Sequence, residues 1–283
     1  MTNDEATVPA GEVGTEARPG KPPIVDLAAW QAAREELLTR EKAQTRACDA
    51  MAAARRRMPM LELDGAATVT GAKGPVPFLD VFEGRRELVV YKSMWYDGAP
   101  HQGQCEGCTQ NAWNMKDTPP YLNARGVTLA FLSPGAWDEL APFVEFMGYR
   151  QSWYSVRGTD GLVGEDAGPI GTGHIACFLR DADRVFLTYS TTGRGNEPAD
   201  ASLGLLDMTP FGRGEAWEDD PEGWPTFPDA GAPLGGHGAP ICWYWRTDDE
   251  GAATWGPTSR PTPQWTRPGA TPVQTLGRHS DPH

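Results

Sequence analysis

Two continuous apolar runs constrain the fold of this 283-residue chain more than any other feature. The first is Glu87-Leu88-Val89-Val90-Tyr91, and the second is Gly126-Val127-Thr128-Leu129-Ala130-Phe131-Leu132-Ser133. Runs of this length that do not alternate with polar residues are typical of central strands buried on both faces of a sheet. The chain therefore contains a sheet whose two faces must both be covered by other elements.

Segments with helical and strand patterns surround these two runs. Asp26 suits the N-cap of a long helix that ends near Met58. The apolar residues that recur at helical spacing in it are Leu27, Trp30, Ala33, Leu37 and Leu38. A break in this helix is predicted near Lys42 to Thr45. Further helices are predicted from Cys108 to Leu122 and from Trp137 to Met147, with Gly148 as the C-cap of the latter. Short strands are predicted at 67–70, 76–78 and 151–156, a helical turn at 78–84, and an antiparallel hairpin at 174–179 and 184–189. Strand, helix, strand, helix and hairpin is the order of an α/β fold with a mixed sheet, as in thioredoxin.

Composition divides the chain into three parts. Residues 1–23 are polar, rich in Pro and Gly and without periodicity, which predicts a disordered tail. Residues 24–210 hold the periodic segments and form the predicted domain. Residues 211–283 are irregular yet rich in tryptophan, so we expect this extension to pack on the domain and to fray at its end. The tryptophans of the extension are Trp217, Trp224, Trp243, Trp245, Trp255 and Trp265.

Charge and hydropathy limit the possible partners. The formal net charge is -13, which argues against nucleic acid or an anionic membrane as the main partner. No apolar stretch approaches the roughly 18 residues of a transmembrane helix. The N-terminal residues have no apolar core of the kind found in a secretory signal. We therefore expect a cytoplasmic protein that acts on a small molecule, with a homo-oligomer left open.

The five cysteines do not resemble the disulfide framework of a secreted domain, because they are odd in number and widely scattered. Cys48 lies in a helical run, Cys177 in a strand run and Cys242 in an apolar segment, so all three are expected to be buried and inert. Cys105 and Cys108 remain. They follow the first apolar run and a Gly-rich loop, and they open a predicted helix.

Several of these segments together are similar to a known family. They are Phe82 to Tyr91, Cys105-x-x-Cys108, Phe178 to Thr191 and Leu206 to Pro210. On these motifs, residues 78–210 resemble the domain-of-unknown-function family 899, which is described as thioredoxin-like. The resemblance implies the fold and little about the reaction. The chain departs from the common family pattern at Lys92, where members often have His, and at Glu106 and Gly107, where they often have Cys-Pro-x-Cys.

A redox dithiol is the first interpretation of the two cysteines. A cysteine at a helix N-terminus has its thiolate stabilised by free backbone N–H groups and the helix dipole, which lowers its pKa. Cys105 would then be the nucleophile and Cys108 the resolving thiol. Glu106 opposes this stabilisation, because it places a negative charge between them.

A copper site is the second interpretation and the favoured one. His174 opens an apolar strand, which is similar to the His-plus-strand pattern of Sco-type thioredoxin-fold copper proteins. Two thiolates and an imidazole form a soft ligand set suited to Cu(I). His101 and His237 are candidates for a fourth ligand. The corresponding function is a copper-dependent oxidoreductase that oxidises a small molecule.

Other interpretations stay open beside this one. A metal-free thiol–disulfide oxidoreductase, a copper carrier without turnover and a pair of structural cysteines would each give the same Cys-x-x-Cys pattern. Trp95, Tyr96 and Trp113 could line an apolar substrate pocket, although core packing explains them equally well. Tyr189, in the hydroxyl-rich end of the hairpin, is a further candidate for that pocket.

Overall fold

The central strand of the structure is the first apolar run of the sequence. A computed structural model describes residues 20–99, 101, 104–165, 168–213, 218–219, 221–223, 246–247, 253–255 and 271–272. The predicted disordered tail up to residue 19, together with His237, Cys242 and most of the extension, lies outside these residues. Within the described part, no helix is long and apolar enough to cross a membrane.

Five helices and eight main strands follow one another along the described chain. The strands are β1 (Leu61–Leu63), β2 (Thr68–Gly71), β3 (Gly74–Pro77), β4 (Glu87–Lys92), β5 (Val127–Ser133), β6 (Ser152–Ser155), β7 (His174–Asp181) and β8 (Arg184–Thr191). The helices are α1 (Leu27–Arg55), α2 (Glu106–Asn114), α3 (Pro119–Asn123), α4 (Trp137–Met147) and α5 (Ala201–Leu206). Short 3-10 turns lie at Phe78–Phe82, Gly168–Ile170 and Gly193–Ala199. Three short strands in the extension, Arg246–Thr247, Ala253–Trp255 and Thr271–Pro272, form a separate small sheet.

The main sheet is mixed and has the order β1-β8-β7-β4-β5-β6-β2-β3. β4 pairs in parallel with β5 and antiparallel with β7, and β7 forms the predicted hairpin with β8. On one side of β4 lie the parallel strands β5 and β6, and on the other side lies the antiparallel hairpin of β7 and β8. This is the arrangement of a thioredoxin-like sheet. The predicted fold class is confirmed.

Side chains alternate across β4 and divide the core into two layers. Leu88 and Val90 join one layer, which also contains Phe78, Phe82 and Phe178. Tyr91 points into the opposite layer, where α2 and α4 cover the sheet. That second layer contains Cys108, Ala112, Leu129, Phe131, Phe143 and Trp153. Because the period of a strand is two residues, neighbours in the sequence of β4 serve different layers.

Two helices differ from their predictions. The helix expected from Cys108 to Leu122 is divided into α2 and α3, because Pro119 and Pro120 cannot donate within a helix but are well suited to starting one. α1 is continuous through the expected break at 42–45, and Asp26 caps it by accepting the Ala29 N–H at 2.8 Å. No residue of α1 is buried within the described chain. The expectation that Cys48 is buried is therefore wrong: its thiol is exposed on α1.

Arg213, at the start of the extension, is held by ion pairs with two carboxylates of the domain. The Arg213 guanidinium is buried and donates to both carboxylate oxygens of Asp207 at 2.7 Å. It also lies 3.0 Å from Glu197 in the 3-10 turn that precedes α5. A bidentate pair of this kind holds the chain in one orientation. Arg213 is thus fastened to residues 197 and 207 of the domain.

Replacing Arg213 by Met should destabilise the protein, because two carboxylates lose their shared cation while the apolar stem is kept. We expect a loss of about 2–3 kcal/mol in the free energy of unfolding, since Asp207 stays half exposed. Arg184→Met is the matched control, because the bidentate pair of Arg184 with Glu62 is exposed on both sides and should contribute little to stability. Urea titration measures both. Equal losses in the two variants would contradict the anchoring role of Arg213.

Candidate functional site

The two site cysteines lie at the N-terminus of α2, beyond the C-terminal end of β4. Cys105 is the N-cap, and its sulfur accepts a hydrogen bond from the Cys108 N–H at 3.5 Å. The Thr109 hydroxyl and N–H both donate to the Cys105 carbonyl, at 2.9 and 3.0 Å. The first turn of α2 thus holds both sulfurs on its inner side, as predicted for a Cys-x-x-Cys segment that opens a helix.

Gln104 fixes the loop that leads into this turn. It is buried, and its amide oxygen accepts the Tyr96 N–H at 3.0 Å. Its amide nitrogen donates to the carbonyls of Tyr96 at 3.0 Å and Ala99 at 3.2 Å. The Gln104 side chain therefore ties Tyr96 and Ala99 to the residue that precedes the N-cap of α2. Sequence reasoning missed Gln104, because a single glutamine in a Gly-rich loop carries no periodic signal.

The sulfur of Cys108 accepts hydrogen bonds from the end of β4. It is only 4% exposed, and it receives the Met94 N–H at 3.3 Å and the Tyr91 hydroxyl at 3.4 Å. Cys105 is partly exposed, and its side chain is hydrogen-bonded to the hydroxyl of Tyr96. Each sulfur therefore has its own tyrosine, and Cys105 is the one that a reactant can approach.

Hydrogen bonding separates the proton affinities of the two thiols. A hydrogen bond from Cys105 lowers the pKa of Cys108 to about 7, helped by the donors Tyr91, Met94 and Ser93 and opposed by burial. The pKa of Cys105 is raised, because its proton is shared with Cys108 and because burial disfavours its charge. Burial and the nearby sulfur charge also raise the pKa values of Tyr96 and Tyr149, so both hydroxyls stay protonated and can donate.

The expected lowering of the Cys105 pKa is therefore wrong. The helix N-terminus does support its sulfur, since the N–H groups of Gly107 and Cys108 lower its pKa. The larger effect is the contact between the sulfurs, in which Cys105 donates to Cys108, the sulfur that already accepts hydrogen bonds from Tyr91 and Met94. The buried sulfur of Cys108 is thus the more acidic of the two, and the partly exposed Cys105 is the less acidic.

His174 lies on the opposite face of the sheet from the two cysteines. In the β4–β7 register Tyr91 is opposite Ile175 and Lys92 is opposite His174. Paired residues share a face, so His174 is on the side of Lys92, whose buried ammonium binds the carbonyls of Gly164 and Glu165. Burial, and to a smaller extent the charge of Lys92, lowers the pKa of His174. The expectation that His174 faces the thiols is therefore wrong, because the pleat of β7 places Ile175, and not His174, on the face of Tyr91.

The other predicted ligands do not complete a metal site in the described residues. The ring of His101 packs against Phe143 and Phe146, with centroids 5.7 and 5.1 Å away. Across the described ranges, no group of three or more His, Cys, Asp and Glu side chains could hold a metal ion. The set of Cys105, Cys108 and His174 does not fit copper as placed here, and the copper expectation stays a prediction.

Of the four residues predicted to line a pocket, Tyr96 reaches a site sulfur. Trp95 packs on Phe143 and donates its indole N–H to Glu139 at 2.9 Å. Trp113 lies beside Tyr149, with centroids 6.5 Å apart and the ammonium of Lys116 over its ring. Tyr189 is opposite Cys177 on the hairpin, under the guanidinium of Arg55. Cys177, expected to be buried, is only partly buried, and this burial raises its pKa to about 11.

Comparison with known proteins places the chain in a family without a described activity. Residues 19–250 match the family model described as "Bacterial protein of unknown function (DUF899)". No curated protein matches the sequence.

Solved structures with a related fold include peroxiredoxin Q of Xanthomonas campestris, at 15% identity over 52% of this chain and 95% of that one, with a TM-score of 0.34. A putative thiol:disulfide interchange protein DsbE from Chlorobium tepidum has 14% identity over 52% and 96% of the two chains, with a TM-score of 0.31. The peroxidoxin BcpB of Mycobacterium tuberculosis has 16% identity over 52% and 98%, with a TM-score of 0.34.

Removing the Tyr91 hydroxyl should make the site thiolate less stable. In Tyr91→Phe one donor to the Cys108 sulfur is lost, so we expect the apparent pKa of the pair to rise by about 1 unit from its value near 7. Thiolate absorbance at 240 nm as a function of pH measures this change. Tyr121→Phe is the matched control, because Tyr121 is 80% exposed on α3. An unchanged titration in Tyr91→Phe would contradict the assignment of charge to Cys108.

Proposed function

This chain belongs to the DUF899 family of bacterial proteins, and we propose that it is a thiol–disulfide oxidoreductase whose Cys105 and Cys108 cycle between dithiol and disulfide. One observation carries the proposal. The two cysteines lie in the first turn of α2, and the buried Cys108 sulfur accepts hydrogen bonds from the Met94 N–H at 3.3 Å and the Tyr91 hydroxyl at 3.4 Å. Packing alone requires no such donors around a cysteine, whereas a thiolate does.

The division of roles follows from exposure and charge. Cys108 has the thiolate but is buried, so it acts as the internal base that takes the proton of Cys105. The Cys105 thiolate then attacks one sulfur of a substrate disulfide, whose S–S bond breaks as the mixed disulfide with Cys105 forms. The first thiolate leaves and takes up the proton from Cys108. Cys108, once deprotonated again, attacks the Cys105 sulfur, and the disulfide forms as the second leaving group departs. The two electrons lost by the dithiol are gained by the substrate.

The tyrosines assist this cycle from either side. Tyr91 donates to the sulfur of Cys108 and keeps its charge available near neutral pH. Tyr96 is hydrogen-bonded to Cys105 and stays protonated, so it can stabilise negative charge that develops on that sulfur. A dithiol of this kind suits the reducing conditions of the cytoplasm, the location expected from the sequence.

The copper-dependent alternatives are less well supported by the geometry. Both the copper oxidase and the copper carrier need His174 beside the two sulfurs. The register of β7 puts His174 on the face that contains Lys92. A dithiol cycle needs no third ligand.

Redox titration against buffers of defined potential tests the proposal. We expect the wild-type protein to form one intramolecular disulfide reversibly and to lose two free thiols, followed by mass spectrometry after alkylation. Cys105→Ser and Cys108→Ser should each abolish the transition. Cys177→Ser is the matched control and should leave it unchanged, because Cys177 pairs with neither site cysteine. A wild-type protein that never forms the 105–108 disulfide would refute the proposed function.

Metal analysis separates the proposal from the copper alternatives. Copper and zinc per chain should be measured after reconstitution with Cu(I) for wild type, Cys105→Ala and His174→Ala. We expect no copper that depends on His174, because that side chain lies across the sheet. Near-stoichiometric copper lost in both variants would instead establish the Cys2His site and favour oxidase chemistry.

A further inference from the structure

The entry to β7 lies against Met94, the residue whose N–H contacts the dithiol. Gly173 immediately precedes this strand, and a Cβ atom built on it would meet the Met94 side chain at 3.4 Å. The N–H of Met94 in turn donates to the Cys108 sulfur at 3.3 Å. Gly173 is therefore linked to the Cys108 sulfur through a single residue, Met94.

Both backbone hydrogen-bonding groups of Gly173 are engaged within the protein. Its N–H donates to the Lys92 carbonyl at 2.7 Å. Its carbonyl accepts the Asn196 side-chain amide at 2.7 Å and the Thr192 hydroxyl at 3.1 Å. Asn196 is only 8% exposed, in the 3-10 turn Gly193–Ala199. The Gly173 carbonyl thus holds two hydrogen bonds, as many as its lone pairs allow.

Binding of an extended peptide depends on backbone groups of this kind. A peptide that lies along a strand edge or strand entry gains affinity from main-chain hydrogen bonds, and its side chains add specificity. At Gly173 a peptide would have to displace Asn196 and Thr192, leaving a buried amide without its acceptor. A small molecule that needs no strand pairing meets no such obstacle and can reach the partly exposed Cys105 directly.

We propose that Asn196, with Thr192, closes the backbone beside the dithiol, so that the site exchanges with small-molecule disulfides rather than with disulfides in extended peptides. The proposal rests on the dithiol function proposed above. In each turnover the Cys105 thiolate attacks one sulfur of a small disulfide RSSR and releases RS⁻. Cys108 then attacks Cys105, which releases the second RS⁻, and two protons complete two RSH. The small disulfide is the oxidant, and the dithiol is oxidised by two electrons.

The test compares a small disulfide with a protein disulfide on the full-length, reduced protein. The probes are 2-hydroxyethyl disulfide and insulin, and the quantity is the ratio of their rate constants. We expect wild type to prefer the small disulfide strongly. In Asn196→Ala the ratio should shift towards insulin by about tenfold, and Thr192→Val should shift it in the same direction by a smaller factor.

A matched control exists on the same hairpin. The Thr188 hydroxyl donates to the Cys177 carbonyl at 3.0 Å, away from the dithiol, so Thr188→Val should leave the ratio unchanged. Should Asn196→Ala fail to fold, the comparison of Thr192→Val with Thr188→Val still decides the matter. Wild type that reduces insulin as fast as the small disulfide, or equal ratios in Thr192→Val and Thr188→Val, would overturn the inference alone. A dithiol that neither probe nor excess oxidised dithiothreitol can oxidise would overturn the proposed function itself.

Discussion

The alternation of side chains along β4 is the constraint on which the site depends. β4 is the central strand of the sheet, paired with β5 on one side and β7 on the other. Its pleat sends Tyr91 towards α2, where the hydroxyl meets Cys108, and sends Lys92 to the opposite layer. A shift of one residue in this register would exchange the two. The hydrogen bonds of β4 therefore determine which polar group reaches the dithiol.

Buried polar side chains fasten the loops around this strand. Gln104 closes the loop before α2, and Lys92 holds the carbonyls of Gly164 and Glu165 on the other face. Asp200 accepts the Gln110 amide from α2 at 2.6 Å and caps α5 with its other oxygen. Burial raises the pKa of Asp200, because these bonds recover only part of its solvation. Burying a polar side chain is destabilising unless its hydrogen-bond partners are in place. Each of these side chains therefore favours the one local chain path that supplies its partners.

The separation of charge between the two sulfurs is a product of the same arrangement. Cys108 is surrounded by donors from β4, whereas Cys105 receives the N–H groups of the first turn of α2. A lowered pKa on the buried sulfur and a raised one on the exposed sulfur keep the accessible thiol protonated until its proton passes inward. Such a site is protected at rest and can still react. The closure of Gly173 by Asn196 adds selectivity to that protection.

The fold and the position of the dithiol were determined by local features of the sequence. Unbroken apolar runs at 87–91 and 126–133 predicted the central strands, and the cysteines after the first run predicted a site at the start of a helix. These signals are local, because hydrophobic periodicity and capping act over a few residues. What only the tertiary structure decided is which distant residues meet the sulfurs. The β4–β7 register turned His174 away, the pleat brought Tyr91 in, and packing reversed the expected proton affinities of Cys105 and Cys108. Register and burial are set by contacts between residues far apart in the chain, and a pattern read along the chain contains no measure of those contacts.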